Sequence, residues 1–202
     1  ILDIGKLFSL RSISNIRDLY EHRSEIIKDK ELVLIPTTCG TGSEINNISI
    51  LELKESKMRI EISTDEFYAD SVIIIPELLQ SLPFGVFVYS STVALIHAIE
   101  SYLSPKATAH TKIFSLKAIE IITKGYKRII EEGIEVKEDM LNDFLLASNY
   151  SGIAYANVGY SEVNAIICKV SSTHNVSYGE ASYIMFAKIF KAYQKANTNG
   201  EI

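Results

Sequence analysis

Short runs of β-branched and other apolar residues alternate with turn residues in the first part of the chain. These runs cover residues 31–35, 48–53, 58–62 and 71–75, and segments of this length and composition are typical of β-strands. The continuous apolar run at 72–75 indicates a strand that is covered on both faces, as in a parallel sheet. We therefore predict four strands before Pro83.

The spacing of the apolar positions changes after Pro83. Apolar residues then recur every three or four positions in residues 90–103, 107–131, 139–157, 161–170 and 179–195. This spacing is typical of helices with one buried face. Residues 127–138 are rich in charge, and they predict the end of a helix followed by a surface loop. The pattern divides the chain into a mixed α/β part, 1–83, and a helical part, 84–202.

Composition and charge exclude several classes of function. The 202 residues are 47% hydrophobic and carry a net charge of −5, which allows a sizeable core and argues against nucleic acid as a partner. No apolar run approaches membrane-spanning length and no signal-peptide pattern is found, so we expect no membrane partner and a cytoplasmic location. The two cysteines, Cys39 and Cys168, are far apart, which argues against a disulfide framework or a zinc knuckle.

Residues 35–44, called here the glycine-rich loop, read IPTTCGTGSE and lie between two predicted strands. A glycine-rich turn after a strand can present backbone N–H groups to a phosphate, and hydroxyl side chains add short donors and acceptors. The alternative is a tight turn in which Gly40 and Gly42 adopt positive φ. The loop lacks the lysine of a Walker motif and the spacing of a Rossmann fingerprint. On spacing alone, a ligand site and a simple turn both stay open.

The glycine-rich loop resembles the hallmark segment of the iron-containing (group III) alcohol dehydrogenases. Further segments match that family in the same order, namely ILDIGK at 1–6, IPELLQSLP at 75–83, ALIHAIESYLS at 94–104 and SNYSGIAYANVG at 148–159. Together the matches span nearly the whole chain, and they look most like the branch of the family that oxidises 4-hydroxybutyrate.

The resemblance implies an α/β domain followed by an all-α domain, in a dehydroquinate synthase-like fold. Residues 1–83 would be the later part of the dinucleotide-binding α/β domain. Residues 84–202 would be the helical metal-binding domain, incomplete at its C-terminus. The chain starts at Ile1 without an initiator methionine, as though inside a helix whose preceding strand and turn are missing. We therefore expect it to be a fragment.

The same resemblance implies a nicotinamide cofactor and a set of residues that bind it. NAD would lie against the first helix and the glycine-rich loop, in contact with Asp3, Thr37, Thr38, Gly40, Thr41 and Ser43. Small residues there let a cofactor approach the backbone, and the hydroxyl groups hold it. The activity implied is the oxidation of a small alcohol or hydroxy acid, such as 4-hydroxybutyrate, to its aldehyde by a homo-oligomeric enzyme.

The metal site departs from the family pattern. The positions that correspond to the family's ligands for iron or zinc carry Val93, His97, Asn164 and Tyr178, so only the histidine is kept. A bound d-block ion normally takes three or more N, O or S donors from the protein, and we expect that this site does not retain one. A rewired site of His97, Cys168 and Tyr178 is the alternative, because Cys168 follows Asn164 by four residues on one helical face.

Two functional hypotheses of different class remain. The chain is an NAD-dependent dehydrogenase of this family, or it is a catalytically impaired relative that keeps the scaffold without metal or turnover. The sequence does not identify a catalytic residue. Cys168 and His174 are the candidates, because both lie near the cleft that the resemblance implies.

Overall fold

A computed structural model describes residues 2–11, 26–53, 58–159 and 162–196. Its first part contains helix α1 (Leu2–Phe8) and strands β1 (Val33–Leu34), β2 (Ile48–Leu53), β3 (Met58–Ser63) and β4 (Ser71–Val72). The strands form two small sheets, in which β1 pairs with β4 in parallel and β2 pairs with β3 antiparallel. All the predicted strands are present, although β1 and β4 are shorter than the apolar runs that predicted them.

The second part of the chain is helical. Its α-helices are α2 (Phe84–Leu103), α3 (Ala109–Glu132), α4 (Leu141–Val158), α5 (Glu162–His174) and α6 (Tyr178–Ala196). A capping box explains where α3 begins, since the side chains of Thr108 and Thr111 each accept a hydrogen bond from the other residue's backbone N–H. The α/β part followed by helices confirms the predicted fold class.

The charged segment after α3 differs from the predicted surface loop. It contains a short 3₁₀ helix, Ile134–Met140, in which Val136 and Lys137 are buried. The Lys137 ammonium donates to the carbonyl oxygen of Leu82 at 3.0 Å and lies 5.9 Å from the centroid of the Phe87 ring. The alkyl chain of this lysine is buried while its ammonium group donates a hydrogen bond. The pattern of charges along the sequence cannot distinguish such a lysine from one that is fully solvated.

The main core lies between α2, α3 and α4. Phe87 of α2 and Phe144 of α4 meet at its centre, with ring centroids 4.6 Å apart. Among the helices that the structure describes, α2 is long and apolar enough to cross a membrane, which corrects the expectation that no run reaches that length. Most of α2 is nevertheless buried inside the fold, as expected of a core helix.

The glycine-rich loop packs directly on α4. Gly42 has φ of 62°, and a Cβ built on it would lie 2.6 Å from the Cα of Gly152. A Cβ on Gly152 would lie 2.8 Å from the Cα of Gly42, so the two backbones touch with no side chain between them. Gly40 does not have the positive φ that a simple turn predicted. It is required for a different reason, because a Cβ there would lie 3.1 Å from the carbonyl oxygen of Ser90.

Candidate functional site

A cavity of about 300 Å³ lies where the glycine-rich loop meets the helical part. One wall comes from α1, the loop and β2, and the other comes from α2, α4, α5 and α6. The lining residues are Asp3, Thr41, Ser43, Asn46, Ile48, Ile50, His97, Tyr155, Asn164, Cys168 and Tyr178. Because polar side chains from both parts of the chain converge on this cavity, it is the candidate functional site.

The residues predicted to bind the cofactor lie on two sides of the loop. Asp3, Thr41 and Ser43 line the cavity, and the hydroxyl oxygens of Thr41 and Ser43 are 2.7 Å apart. Thr37 and Thr38 are exposed and are not among the lining residues described above. The loop therefore offers short hydroxyl side chains both to solvent and to the cavity.

Three charged residues lie at this wall: Asp3 lines the cavity, and Lys6 and Glu44 are buried. The Lys6 ammonium is fully buried and donates to Asn46 Oδ1 at 2.8 Å and to the carbonyl oxygen of Ile48 at 2.7 Å. Burial lowers the pKa of Lys6 to about 8 and raises the pKa of the Asp3 and Glu44 carboxyl groups, because desolvation disfavours every charged form. The lysine thus connects α1 to the segment that follows the loop.

Side chains from α2, α4, α5 and α6 form the opposite wall, called here the His97 cluster: His97, Tyr155, Asn164, Cys168 and Tyr178. The Tyr178 hydroxyl donates to Asn164 Oδ1 at 2.8 Å and lies 3.5 Å from Nε2 of His97. The Asn164 amide nitrogen donates to the Tyr155 hydroxyl, and the Cys168 thiol donates to Asn164 Oδ1 at 3.6 Å. Packing brings together three of the ligand-equivalent positions, and hydrogen bonds join them.

The His97 ring is held neutral. It is 4% exposed and stacks on Tyr155, with ring centroids 4.1 Å apart, and burial lowers its pKa to about 4. Because the Tyr178 hydroxyl donates to Asn164, its oxygen can accept from His97 only if Nε2 carries the imidazole proton. In that tautomer Nδ1 is an acceptor, and it has no hydrogen-bond partner among the residues that the structure describes.

The donor set does not fit a divalent metal. Val93 is 2% exposed and supplies no lone pair, and Tyr178 would first have to lose a proton with an ordinary pKa near 10. The described residues contain no group of three or more His, Cys, Asp and Glu side chains placed to hold an ion. The rewired alternative fits no better. The Cys168 thiol and the Tyr178 phenol both donate hydrogen bonds to Asn164 Oδ1, so both are protonated, whereas a metal ligand would have to lose its proton.

The two candidate catalytic residues have different positions. Cys168 lines the cavity, whereas His174 is exposed at the end of α5 and does not belong to the lining described above. The structure therefore does not bring His174 into this cavity, and its role stays a prediction. Tyr155 and Asn46 line the cavity but were not predicted. Tyr155 lies in the family-like segment at 148–159, but a tyrosine at helical spacing is indistinguishable from a core residue.

Comparison with known proteins identifies the class to which this fold and site belong. The profile of the Fe-containing alcohol dehydrogenase family, C-terminal, matches residues 87–201, and the profile of iron-containing alcohol dehydrogenases matches residues 1–76. The chain belongs to the iron-containing alcohol dehydrogenase family, which confirms the resemblance found in its sequence.

Curated relatives are similar along the whole chain. The 4-hydroxybutyrate dehydrogenase of Clostridium kluyveri is 43% identical over 202 residues, which are 100% of this chain and 54% of that protein. Long-chain-alcohol dehydrogenase 1 of Geobacillus thermodenitrificans is 30% identical over 191 residues, which are 91% of this chain and 47% of that protein. The chain therefore spans about half the length of these relatives.

Solved structures share the fold at lower identity. Sulfoacetaldehyde reductase from Bifidobacterium kashiwanohense, solved in complex with NAD+, has a TM-score of 0.85 and 22% identity, with 100% of this chain and 54% of that chain covered. An iron-containing alcohol dehydrogenase from Thermotoga maritima has a TM-score of 0.82 and 23% identity, with 96% and 53% covered. At these identities the likeness establishes the fold alone.

Proposed function

We propose that this chain is an NAD-dependent alcohol dehydrogenase that oxidises a short hydroxy acid, such as 4-hydroxybutyrate, to its aldehyde. The observation that carries the proposal is the cavity, in which hydroxyl groups of the glycine-rich loop face the His97 cluster. The similarity to 4-hydroxybutyrate dehydrogenase, 43% over 202 residues, supports the choice of substrate. A cytoplasmic location and a homo-oligomeric state belong to the same proposal.

The residues that would hold NAD come from α1 and the glycine-rich loop. They are Asp3, Thr37, Thr38, Thr41 and Ser43, together with the close backbone at Gly40. When bound, the nicotinamide would accept the hydride, and the proton of the alcohol O–H would be released to solvent. Thr41 and Ser43 would orient its reactive end, since their side chains line the cavity. Ile48 and Ile50 add apolar surface to the lining and so help to exclude water.

The His97 cluster would handle the alcohol oxygen with uncharged groups. Tyr178 holds its proton toward Asn164 at 2.8 Å, and the neutral His97 ring lies 3.5 Å from the same phenol oxygen. Hydrogen bonds stabilise a developing alkoxide less than a metal ion does, and each 1.36 kcal/mol of lost stabilisation slows the reaction tenfold. We therefore expect turnover several orders of magnitude slower than in an enzyme with a metal.

The test is NAD reduction by the purified chain. With 4-hydroxybutyrate and NAD, reduced nicotinamide should accumulate above the rate without protein, as followed by its absorbance. Replacing the hydroxyl groups at the cavity, in the double variant Thr41→Val and Ser43→Ala, should raise the KM for NAD. Thr123→Val on the exposed face of α3 is the matched control. No reduction above background at any NAD concentration would contradict the proposal.

The second candidate is a catalytically impaired relative that binds NAD without turnover. Val93, Asn164 and Tyr178 favour it, because they stand at ligand-equivalent positions and do not fit a metal. Calorimetric titration with NAD separates the two functions. Heat of binding without NAD reduction would support the impaired relative, and NAD reduction would support the dehydrogenase.

A further inference from the structure

Uncharged hydrogen-bonding groups take the place that metal ligands have in the family. We propose that Tyr178 and Asn164 bind the oxygen of a small alcohol or aldehyde directly, without a divalent metal. The proposal rests on the proposed function, because it concerns how the substrate of the same cavity is held. It goes beyond that function by assigning the binding of the substrate oxygen to two side chains.

Position is the first argument. Tyr178 begins α6 and Asn164 lies on α5, and both side chains line the cavity of about 300 Å³. Tyr178 is half-buried, so its hydroxyl is reachable from the cavity, whereas Asn164 is 3% exposed. A substrate oxygen in the cavity would therefore be able to reach both groups, since both line it and the phenol oxygen is 2.8 Å from Asn164 Oδ1.

Hydrogen-bonding capacity is the second argument. A phenol donates one hydrogen bond and accepts others, and an amide does both. The Tyr178 hydroxyl can thus turn from Asn164 Oδ1 toward an oxygen atom in the cavity, while Asn164 Oδ1 still accepts from Cys168 at 3.6 Å. A hydroxyl or carbonyl oxygen matches these groups. A cation matches them poorly, because the phenol proton and the neutral ring of His97 supply no negative charge.

The apolar part of the lining indicates the rest of the ligand. Ile48 and Ile50 come from β2, on the wall opposite the His97 cluster. A short carbon chain would lie against them while its oxygen lies at Tyr178. A cavity of about 300 Å³ holds a molecule of a few carbon atoms. The ligand class is therefore a short-chain alcohol or its aldehyde.

The experiment measures binding in the presence of a chelator. Saturation-transfer NMR with the full chain, NAD and either 4-hydroxybutyrate or 1-butanol is recorded with and without EDTA. Binding should be the same in both conditions. Tyr178→Phe should weaken it about fivefold, as for the loss of one hydrogen bond. Asn164→Ala is the second variant and should weaken binding at least as much, with folding checked by circular dichroism.

Tyr183→Phe is the matched control, because Tyr183 lies on the same helix, is 51% exposed and is absent from the cavity lining described above. It should leave binding unchanged. Binding that EDTA abolishes and zinc or iron restores would overturn the inference, and so would full binding by both Tyr178→Phe and Asn164→Ala. Absence of binding by the parent chain would overturn it as well.

The outcomes also separate this inference from the proposed function. Chelator-resistant binding that depends on Tyr178, without any NAD reduction, would reject the dehydrogenase and keep the inference. NAD reduction that requires added zinc or iron would keep the dehydrogenase and overturn the inference. NAD reduction that resists EDTA and falls in Tyr178→Phe would support both.

Discussion

Burial of Lys6 makes part of the stability of the fold depend on pH. Its pKa is lowered to about 8 from an ordinary value of 10.5 because the ammonium is desolvated. Between these two values the unfolded chain binds more protons than the folded chain, so the free energy of unfolding rises with pH in this window. Below about pH 8 the lysine is charged in both states, and its contribution is constant.

Comparison with Lys6→Met isolates this effect. The parent should gain stability relative to the variant by at most about 1.4 kcal/mol for each pH unit between about 8 and 10.5. Urea unfolding at several pH values measures the difference. Lys127→Met is the control, since it removes the same charge from a side chain that is 74% exposed. A pH-independent difference for Lys6→Met would contradict the prediction.

Rebuilding the donor set should restore metal binding. The triple variant Val93→Asp, Asn164→His and Tyr178→His, with His97 retained, provides carboxylate and imidazole donors on helices that already meet. Residues 93 and 97 are four apart on α2 and therefore share one helical face. We expect the variant to retain about one zinc or iron per chain through desalting, measured by elemental analysis, and the parent to retain none.

The matched control for the triple variant adds His97→Ala, which should remove the ion again. The result that would favour the rewired site concerns the parent chain. If the parent chain itself carries a tightly held ion, and loses it on His97→Ala and on Cys168→Ala, the expectation of a site without metal is wrong.

At the scale of elements, the contact between the glycine-rich loop and α4 depends on the absence of side chains. Gly152→Ala places a Cβ 2.8 Å from the Cα of Gly42 and 2.9 Å from its carbonyl oxygen. Backbone atoms cannot yield as a flexible side chain does, so the variant should lose about 1–3 kcal/mol of stability. Chemical denaturation measures this loss.

Gly85→Ala is the control for the contact, because a Cβ on Gly85 of α2 would meet nothing within 4 Å. Its stability should be unchanged or slightly higher, since alanine has the better helix propensity. If the Gly152→Ala and parent chains had equal free energies of unfolding, the prediction would be wrong, because the loop would then move away from α4 without loss of stability.

Local pattern predicted the elements well, because apolar residues recur at three- and four-residue spacing in the helices and the long strands are bounded by turn residues. It could not predict that β1 pairs with β4 rather than with its neighbour in sequence, since strand pairing depends on distant contacts. It also misjudged Gly40, whose need for a small residue comes from Ser90, 50 positions further along the chain. The burial of Val136 has the same kind of cause.

Local sequence was also a limited guide to the candidate functional site, because contacts between distant residues build it. His97, Asn164 and Tyr178 could be marked because they stand at positions that correspond to the family's metal ligands, and the structure places them in one cluster. The hydrogen bonds among them depend on how three helices pack, so their direction could not be predicted from the sequence. Tyr155 was missed because its position in the site follows from stacking on His97. His174 ends α5 and is exposed, which the local sequence did not indicate.

At the scale of the whole molecule, apolar side chains remain exposed near the small parallel sheet. Phe8 is 73% exposed, Ile4 is 52%, Ile73 is 46% and Val33 is 44%. Parallel strands are normally covered on both faces, and an exposed apolar patch favours association. We therefore predict that the 202-residue chain self-associates through these exposed apolar side chains.

Sedimentation velocity over a range of concentrations tests self-association. The parent should show a concentration-dependent increase in sedimentation coefficient, and the double variant Phe8→Ser and Ile73→Ser should shift it toward the monomer. Ile113→Ser is the control, because Ile113 is also strongly exposed, at 64%, but lies on α3 in the helical part of the chain. A concentration-independent monomer for the parent chain would rule the prediction out.

The touching backbones of Gly42 and Gly152 also set the width of the cavity. The same loop is held at two further points, where Gly40 packs on the carbonyl oxygen of Ser90 and where the Asn149 amide donates to Glu44 at 3.3 Å. Because several contacts join the loop to the helical part, the separation of Thr41 and Tyr178 on opposite walls is governed by backbone packing rather than by the length of the side chains. Backbone contacts of this kind yield little, so the size of the substrate that fits is decided at the two glycines, away from the groups that would bind it.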